Sequence, residues 1–281
     1  MGRPSTSGPT GEAHGGAEEP HVFTTVRWDP VLVKSAANTA ASCNRPCPFY
    51  MLEHHWTRLQ VAKWSVSLER SSPADLLYSL STAVRQWHAD HPDMTGQPLR
   101  IKHRGYSGGR STTEINLTAL GPVPMGLLFP VSFDSAPGQP ESAYWIVTLD
   151  DIATEASAVT MYKTDDRSPY DRARATAGIG SYMEIKEVLL FNTDDDILDG
   201  SISTPYFWRA GCWITPASAS GGLQGTTRRW ALENGLCVEE TIKKSELVDG
   251  ELMWLSNAAR GYYRARYVAR ASSARSDEPH I

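Results

Sequence analysis

Residues Ile197–Arg228 read ILDGSISTPYFWRAGCWITPASASGGLQGTTR, and this stretch decides the fold of the C-terminal half of the chain. Two short runs rich in aromatic and β-branched residues, Tyr206–Arg209 and Cys212–Thr215, flank the pair Ala210-Gly211. Strand-forming runs separated by two small residues are typical of a β-hairpin. The stretch therefore predicts two adjacent antiparallel strands, followed by a glycine-rich turn.

The turn Gly221–Arg228 leads into a predicted helix, Thr226–Asn234, which ends at Gly235, a favourable residue after a helix C-terminus. Gly225 precedes two threonines, so free backbone amides and hydroxyls converge at the helix start, where the helix dipole favours an anion. This arrangement would suit a phosphate group. A Gly-Thr pair before a helix is also an ordinary N-cap, and without other support that reading is the commoner one.

Lys163 lies in the segment MYKTDDR, residues 161–167. Most lysines are solvated surface charges, and this is the simplest interpretation. However, Met161 and Tyr162 give Lys163 apolar neighbours, and Arg167 lies one helical turn further along. A lysine among apolar groups and cations has a lowered pKa, which a Schiff-base amine requires.

Asp199 stands in an apolar run and is followed by small residues and then by aromatic ones. Asp-Gly is a common hairpin pair, so a simple turn explains it; alternatively, the carboxylate holds a positive charge on a heterocycle.

Arg58 occurs in EHHWTRL, residues 53–59, where His54 and His55 complete a cationic patch on a predicted helix. Adjacent histidines do not face one another on a helix, so the pair is poor evidence for metal binding.

The remaining elements intermingle helices and strands without an internal repeat. Strands are predicted at His21–Val26, Leu99–Arg104, Thr113–Leu117, Tyr144–Leu149, Glu187–Phe191, Glu251–Ser256 and Tyr262–Val268, and helices at Leu52–Arg70, Ser72–His88 and Asp166–Ala177. The mixture predicts an α/β or α+β fold class.

Composition divides the chain into two folded regions between polar tails. Residues 1–19 are rich in Gly, Ser, Pro and Glu and predict a disordered tail, and 271–281 form a second polar tail. Residues 121–138 hold four prolines and three glycines, which suits neither a helix nor a central strand. We therefore expect an interdomain linker at 121–140 between an N-terminal domain at 20–120 and a C-terminal domain at 141–270.

Charge and hydropathy exclude several classes of protein. The formal net charge is −5, without the clustered Lys and Arg that nucleic acid binding requires. No apolar run is long enough to cross a bilayer, and the N-terminus has no signal-peptide core, so we expect a cytoplasmic protein. The cysteines are too scattered for a disulfide framework or a metal site and are interpreted as isolated thiols: Cys43, Cys47, Cys212 and Cys237.

Taken in order, these segments resemble the class IV (fold type IV) pyridoxal 5'-phosphate enzymes, from Phe23 to about Val268. FTTVR is similar to the family's first strand, EHHWTRL to the segment whose arginine binds the cofactor phosphate, and MYKTDDR to the Schiff-base lysine segment. DGSISTPYFW resembles the acidic motif, WITPASASGGLQGTTR its downstream half, and LSNAARG the late loop that lines the site. The resemblance implies a two-domain fold like that of D-amino acid aminotransferases, pyridoxal phosphate in the interdomain cleft, and a homodimer.

The resemblance also assigns roles to single residues. Lys163 would be the catalytic residue and would bind the cofactor covalently, and Asp199 would hold the protonated pyridine nitrogen. The cofactor-binding set for the phosphate would be Arg58, Gly225, Thr226 and Thr227. The chain departs from the family's pattern at two positions, since the family normally has Glu where Asp199 stands and Asn where Thr204 stands.

Among class IV enzymes, FTTVR, RGYSGGR (residues 104–110) and WLSNAARG are most like 4-amino-4-deoxychorismate lyases, and YKTDDRSPYDRARA and YFWR are like the fungal form. The resemblance implies release of pyruvate from aminodeoxychorismate to form p-aminobenzoate for folate biosynthesis. This small-molecule substrate is a dicarboxylate. The residues expected to bind it are Arg27, Arg110, Asn257 and Ala258.

Two other hypotheses remain open. A class IV aminotransferase acting on branched-chain or D-amino acids would use the same cofactor residues; a hydrophobic pocket would favour it, whereas two arginines facing the substrate would favour the lyase. A degenerate, non-catalytic relative is the third hypothesis, and Asp199 and Thr204 are the residues that keep it open.

Overall fold

The computed structural model describes residues 21–61, 72–106, 111–116 and 120–270, without the side chains of residues 61 and 116. Within these ranges the strands are β1 (His21–Trp28), β2 (Leu99–Tyr106), β3 (Ser111–Asn116), β4 (Trp145–Leu149), β5 (Lys186–Phe191), β6 (Ile197–Gly200), β7 (Thr204–Arg209), β8 (Cys212–Pro216), β9 (Val238–Glu240), β10 (Leu252–Asn257) and β11 (Gly261–Tyr267). The helices are α1 (Ala36–Ala40), α2 (Leu52–Val61), α3 (Pro73–Asp90), α4 (Met125–Leu128), α5 (Ala158–Met161), α6 (Ser168–Thr176) and α7 (Thr226–Glu233). The predicted mixed α/β class is confirmed.

The N-terminal sheet has the order β1-β2-β3 and is antiparallel, with Arg27 opposite Arg100. β2 reads LRIKHRGY and buries every second residue. Because side chains alternate across a strand, Leu99 and Ile101 pack in a core with α2 and α3. The cations at the alternate positions, Arg100, Lys102 and Arg104, lie on the other face of the strand. This sheet is joined to the C-terminal half by the Phe23 N–H, which donates to the Lys163 carbonyl at 2.9 Å.

Helix α3 begins where its sequence predicts. The Ser72 hydroxyl accepts a hydrogen bond from the Asp75 N–H at 3.2 Å, and the Asp75 carboxylate accepts one from the Ser72 N–H at 2.7 Å. This reciprocal capping box satisfies donors at the helix start that have no partner within the helix. The other predicted N-terminal helix, Leu52–Arg70, is described as α2, and its residues 62–70 lie outside the described ranges.

The C-terminal sheet has eight strands in the described ranges, in the order β6-β5-β4-β11-β10-β7-β8-β9. The predicted hairpin of β7 and β8 is confirmed. Ala210 and Gly211 have φ values of 48° and 84°, which are the left-handed conformations of a two-residue hairpin turn. The predicted helix after the glycine-rich turn is also confirmed as α7, and Gly235 beyond it has a φ of 69°.

The proline-rich segment 121–138 differs from its prediction, because it contains the one-turn helix α4. Phe133 follows α4 and is buried, with its ring centroid 4.9 Å from that of Tyr206 and 5.4 Å from that of Trp254. Gly126 is packed so closely that a Cβ there would lie 2.9 Å from a carbon of Pro137. Tertiary packing against the C-terminal sheet therefore overrides the weak helix propensity of this composition.

The interpretation of Asp199 and Gly200 as a hairpin turn is wrong. Asp199 lies inside β6, opposite Leu190 of β5, with a register shift between Leu190 and Phe191. Pairing with a long apolar strand decides its conformation, and this pairing is not visible in local sequence. In the described ranges, all four cysteines are free thiols, and no helix is both long and apolar enough to cross a membrane.

Candidate active site

A cavity of about 440 Å³ lies between the N-terminal sheet and the C-terminal sheet. Its size is within the range of small-molecule sites. Eight of the residues expected from the sequence line it: Arg58, Lys163, Asp199, Gly225, Thr226, Thr227, Asn257 and Ala258. Segments that are far apart in the chain therefore meet at one place.

Lys163 follows α5 and enters the cavity beside the N-terminal sheet. Its Nζ lies 5.0 Å from the centroid of the Phe23 ring. Burial, reinforced by repulsion from the Arg58 and Arg167 guanidinium groups, holds the pKa of Lys163 well below its ordinary value. The amine is therefore biased toward its neutral form, which is the nucleophilic and proton-accepting one.

Asp199 of β6 lines the cavity and is 5% exposed. Burial raises the pKa of this carboxyl well above its ordinary value, although the backbone N–H of Gly200 and the charge of Arg228 oppose the shift. A carboxyl in this environment gains most from a cationic hydrogen-bond donor, because such a donor offsets the cost of burying its charge.

A second buried carboxylate, Glu187 of β5, supports the Asp199 region. It accepts hydrogen bonds from the Ser201 N–H at 3.0 Å, the Ser201 hydroxyl at 2.5 Å, the Ile202 N–H at 3.2 Å and the Ser203 hydroxyl at 2.5 Å. These bonds fix the turn that follows Asp199. Glu187 is not among the site residues predicted from the sequence, although an acidic residue inside the run KEVLLF was the available signal.

The start of α7 and Arg58 form the other end of the site. Thr227 is buried and shares a hydrogen bond with the Ser256 hydroxyl at 2.8 Å. The Thr226 hydroxyl and the Arg58 Nε are buried without a hydrogen-bond partner in the described chain. Burial, with repulsion from Arg229, lowers the pKa of Arg58 to about 10. Both groups can donate a hydrogen bond, so this end of the site lacks a hydrogen-bond acceptor.

The residues expected to bind substrate do not all line the cavity. Arg27 is fully buried, does not line the cavity, and donates to Asp29 at 2.7 Å and to the Ala259 carbonyl at 3.1 Å. Asn257 lines the cavity, and its side chain accepts from the N–H groups of Ala259 and Arg260 at 3.1 and 2.9 Å. Arg110 lies outside the described residues.

These groups fit pyridoxal phosphate. The hydroxyl of Thr226 and the Nε of Arg58 could meet phosphate oxygens at the α7 N-terminus. Gly225 keeps this place open, because a Cβ there would lie 2.9 Å from the Thr204 hydroxyl. Asp199 could hold the ring nitrogen, and the Lys163 amine could hold the aldehyde carbon.

Comparisons with known proteins show which proteins the chain resembles. A Schizosaccharomyces pombe protein named "Putative aminodeoxychorismate lyase" is 32% identical over 125 residues, 43% of this chain and 54% of that protein, so the chain spans about half of that relative's length. A solved structure described as a "Putative amino-acid aminotransferase from Mesorhizobium loti" superposes with a TM-score of 0.61 at 21% identity, over 88% of this chain and 99% of that one.

A second solved structure, a hypothetical aminotransferase from Mycobacterium tuberculosis in a PLP-bound form, has a TM-score of 0.58 at 18% identity, over 94% of this chain and 87% of that one. At these identities the structural likeness concerns the fold. The family model described as "Amino-transferase class IV" matches residues 22–268, almost the whole described region. The chain therefore belongs to the class IV aminotransferase family.

Proposed function

We propose that the chain is a pyridoxal-phosphate-dependent 4-amino-4-deoxychorismate lyase, which forms p-aminobenzoate and pyruvate. The observation that carries the proposal is one cavity that joins the Lys163 amine, the buried Asp199 carboxyl and the N-terminus of α7. The partial identity to the S. pombe protein supports the choice of substrate within the family.

The charge of the cavity also supports a dicarboxylate substrate. Besides Lys163, five of the described residues that line it carry a cationic group: Arg58, Arg100, Lys102, Arg167 and Arg260. Two lining residues, Asp166 and Asp199, are acidic. One phosphate group leaves part of this positive charge uncompensated. A substrate with two carboxylates would compensate it, and a poorly solvated cleft strengthens such attractions.

When bound, pyridoxal phosphate supplies an electron sink for the electron pair of a breaking C–H bond. The Lys163 Nζ would accept the proton from the ring carbon that bears the substrate amine. Loss of that proton and cleavage of the ring C–O bond to the enolpyruvyl group leave an aromatic ring, and the departing enolate takes up a proton to become pyruvate. Asp199 would keep a proton on the cofactor's ring nitrogen, and Arg58 and Thr226 would hold its phosphate.

A spectrum and a product assay test the proposal. The protein purified with pyridoxal phosphate is expected to show a visible cofactor band that borohydride fixes, and to form p-aminobenzoate and pyruvate in equal amounts. Lys163→Ala should abolish both the band and the products, whereas Lys186→Ala, at a half-exposed lysine outside the cavity, should retain both. Absence of a band from the wild-type protein would contradict the binding of pyridoxal phosphate.

One observation favours transamination as a second candidate. Apolar side chains also line the cavity, among them Phe23, Leu120, Val159 and Met183. Such a wall could hold a branched aliphatic side chain. A cofactor band without pyruvate release, combined with formation of a keto acid from a branched-chain or D-amino acid donor, would select this activity over the lyase.

A further inference from the structure

Three cations project from one face of β2 toward the C-terminal half of the molecule. Arg100, Lys102 and Arg104 occupy alternate positions of the strand, between residues that are buried on the other face. Asp165 pairs with Lys102, and also with the Nε of Arg104 at 3.3 Å. Arg104 pairs in addition with Glu114 at 2.9 Å. Two of the three cations thus have carboxylate partners.

Arg100 differs from its neighbours on the strand. It lines the cavity, and within the described residues its guanidinium group has neither a hydrogen bond nor an ion pair. Burial, with repulsion from Arg260, lowers the pKa of Arg100. A partly buried guanidinium without an anion carries a desolvation cost, which a bound carboxylate would offset.

Arg260 lies on the turn between β10 and β11 and also lines the cavity. Its backbone N–H is held by Asn257, and Arg27 binds the carbonyl of the preceding residue, Ala259. Its guanidinium group donates to the Tyr182 carbonyl at 2.9 Å and lies 5.3 Å from the Trp145 ring centroid. No carboxylate within the described ranges pairs with it.

The acidic groups near this pair are engaged elsewhere. Glu114 is bonded to Arg104. Asp166, on the cavity wall, accepts from the Ser168 N–H at 3.0 Å. Asp199 belongs to the part of the cavity that fits the cofactor. Arg100 lies opposite Arg27 in the β1–β2 register, and Arg27 binds the carbonyl of Ala259, which precedes Arg260. Both Arg100 and Arg260 line the cavity, and neither has a carboxylate partner among the described residues, so an anion bound to both would be stabilised.

We propose that Arg100 and Arg260 together bind a carboxylate of the substrate. The inference rests on the proposed function, since it names these arginines as the dicarboxylate-recognising residues of that site. An arginine fork presents parallel N–H donors that match the two oxygens of a carboxylate. The backbone contacts from Arg27 and Asn257 make those residues positioning residues for Arg260.

The test measures binding and needs no turnover. Chorismate has two carboxylates and a hydroxyl group in place of the substrate amine, and its affinity for the pyridoxal-phosphate-loaded enzyme is measured by calorimetry. Arg100→Gln and Arg260→Gln should each weaken chorismate binding by roughly 10- to 100-fold, the cost of one charge-assisted contact. Arg85→Gln is the control, because it removes an exposed arginine of α3 outside the cavity, and it should stay within about twofold.

Cofactor affinity, measured on each variant, reports whether the cavity is intact. Unchanged pyridoxal phosphate affinity together with weakened chorismate binding would support the pair. Four results would overturn it. They are chorismate binding within about twofold of wild type in both variants, an equal loss in Arg85→Gln, an equal loss of cofactor affinity, and no saturable binding to wild type. Arginine-dependent chorismate binding without formation of p-aminobenzoate would retain the pair and reject the lyase assignment.

Discussion

Asp199 and Lys163 are two titratable residues whose pKa values burial shifts in opposite directions within one cavity. The pKa of Asp199 is raised and that of Lys163 is lowered, so the cavity disfavours the charged form of each. Groups of this kind mark functional sites more often than ordinary surface pairs. The same shifts make the stability of the cofactor-free protein depend on pH, with a sign that can be worked out for each residue.

Asp199→Asn is expected to change that pH dependence. Above the ordinary pKa of 3.8, the unfolded chain releases the Asp199 proton while the folded protein keeps it, so wild-type stability falls as pH rises toward the raised pKa. The amide does not titrate, and the opposite slope from Lys163 is present in both proteins. Urea unfolding should therefore show that the variant gains stability relative to wild type between pH 5 and pH 7.5.

Asp93→Asn, at an exposed position outside the cavity, is the control substitution for that experiment. Parallel stability curves for wild type and Asp199→Asn would contradict the raised pKa of Asp199.

At the scale of elements, the start of α7 combines two adjacent threonines with different partners. The Thr227 hydroxyl is bonded to Ser256, and the Thr226 hydroxyl has no partner in the described chain. Thr226→Val should change the free energy of unfolding of the cofactor-free protein by less than about 0.5 kcal/mol, because no hydrogen bond is lost. Pyridoxal phosphate affinity, measured by absorbance titration, should fall about tenfold.

Thr227→Val is the matched comparison for this prediction. It removes a buried hydrogen bond and should destabilise the cofactor-free protein by about 1 kcal/mol or more. An equal loss of stability in both variants would show that the Thr226 hydroxyl serves the fold rather than a ligand.

Three residues of the turn between β6 and β7 donate hydrogen bonds to Glu187, and the Ser201 N–H also donates to the Val188 carbonyl at 3.0 Å. In Glu187→Gln, an amide group replaces one carboxylate oxygen and faces hydrogen-bond donors from Ser201, Ile202 or Ser203. We expect a loss of about 1–3 kcal/mol in the free energy of unfolding, because buried donors lose their acceptor. Cofactor affinity should fall as well, since the turn follows Asp199. Glu141→Gln, at an exposed ion pair, should change stability by less than about 0.5 kcal/mol.

Local chemistry explains which elements could be predicted from the sequence. The capping box at Ser72 and the turn at Ala210-Gly211 act through neighbouring residues, so their sequence signals are complete. Helix α4 and strand β6 depend on distant partners, the C-terminal sheet and β5 respectively. A single sequence contains no record of those contacts, and neither element was predicted for that reason.

In the candidate site, too, residues with local sequence signals could be predicted and contacts between distant elements could not. Lys163, Asp199 and the Gly225–Thr227 turn occur in segments with recognisable local chemistry, and the structure brings them into one cavity. Arg100 had only the alternation of β2 as a signal, and that alternation does not say which cation lacks a carboxylate partner. The bonding of Arg27 to Ala259, 232 positions away, could not be inferred from its strand.

At the scale of the whole molecule, Asp165 joins the two halves around the cavity. It follows Lys163 closely and accepts hydrogen bonds from three residues of the N-terminal sheet: His21, Lys102 and Arg104. Burial acts to raise its pKa, but the bonds from Lys102 and His21 outweigh that effect and hold the pKa of Asp165 at about 2. The ionised carboxylate therefore stabilises the contact between the N-terminal sheet and the lysine segment.

Asp165→Asn should weaken that contact in a pH-dependent way. Because the folded pKa is depressed below the ordinary 3.8, the stabilisation from Asp165 is complete above pH 3.8 and is lost as pH falls toward 2. Urea unfolding should show the variant less stable than wild type at pH 7, with the difference shrinking by pH 3. Asp151→Asn, which removes an exposed pair with Arg270, should cost little at either pH. A stability difference between Asp165→Asn and wild type of the same size at both pH values would mean that Asp165 acts through its shape rather than its charge. The N-terminal sheet and the lysine segment would then be held together mainly by apolar packing and by the hydrogen bond from Phe23 to Lys163.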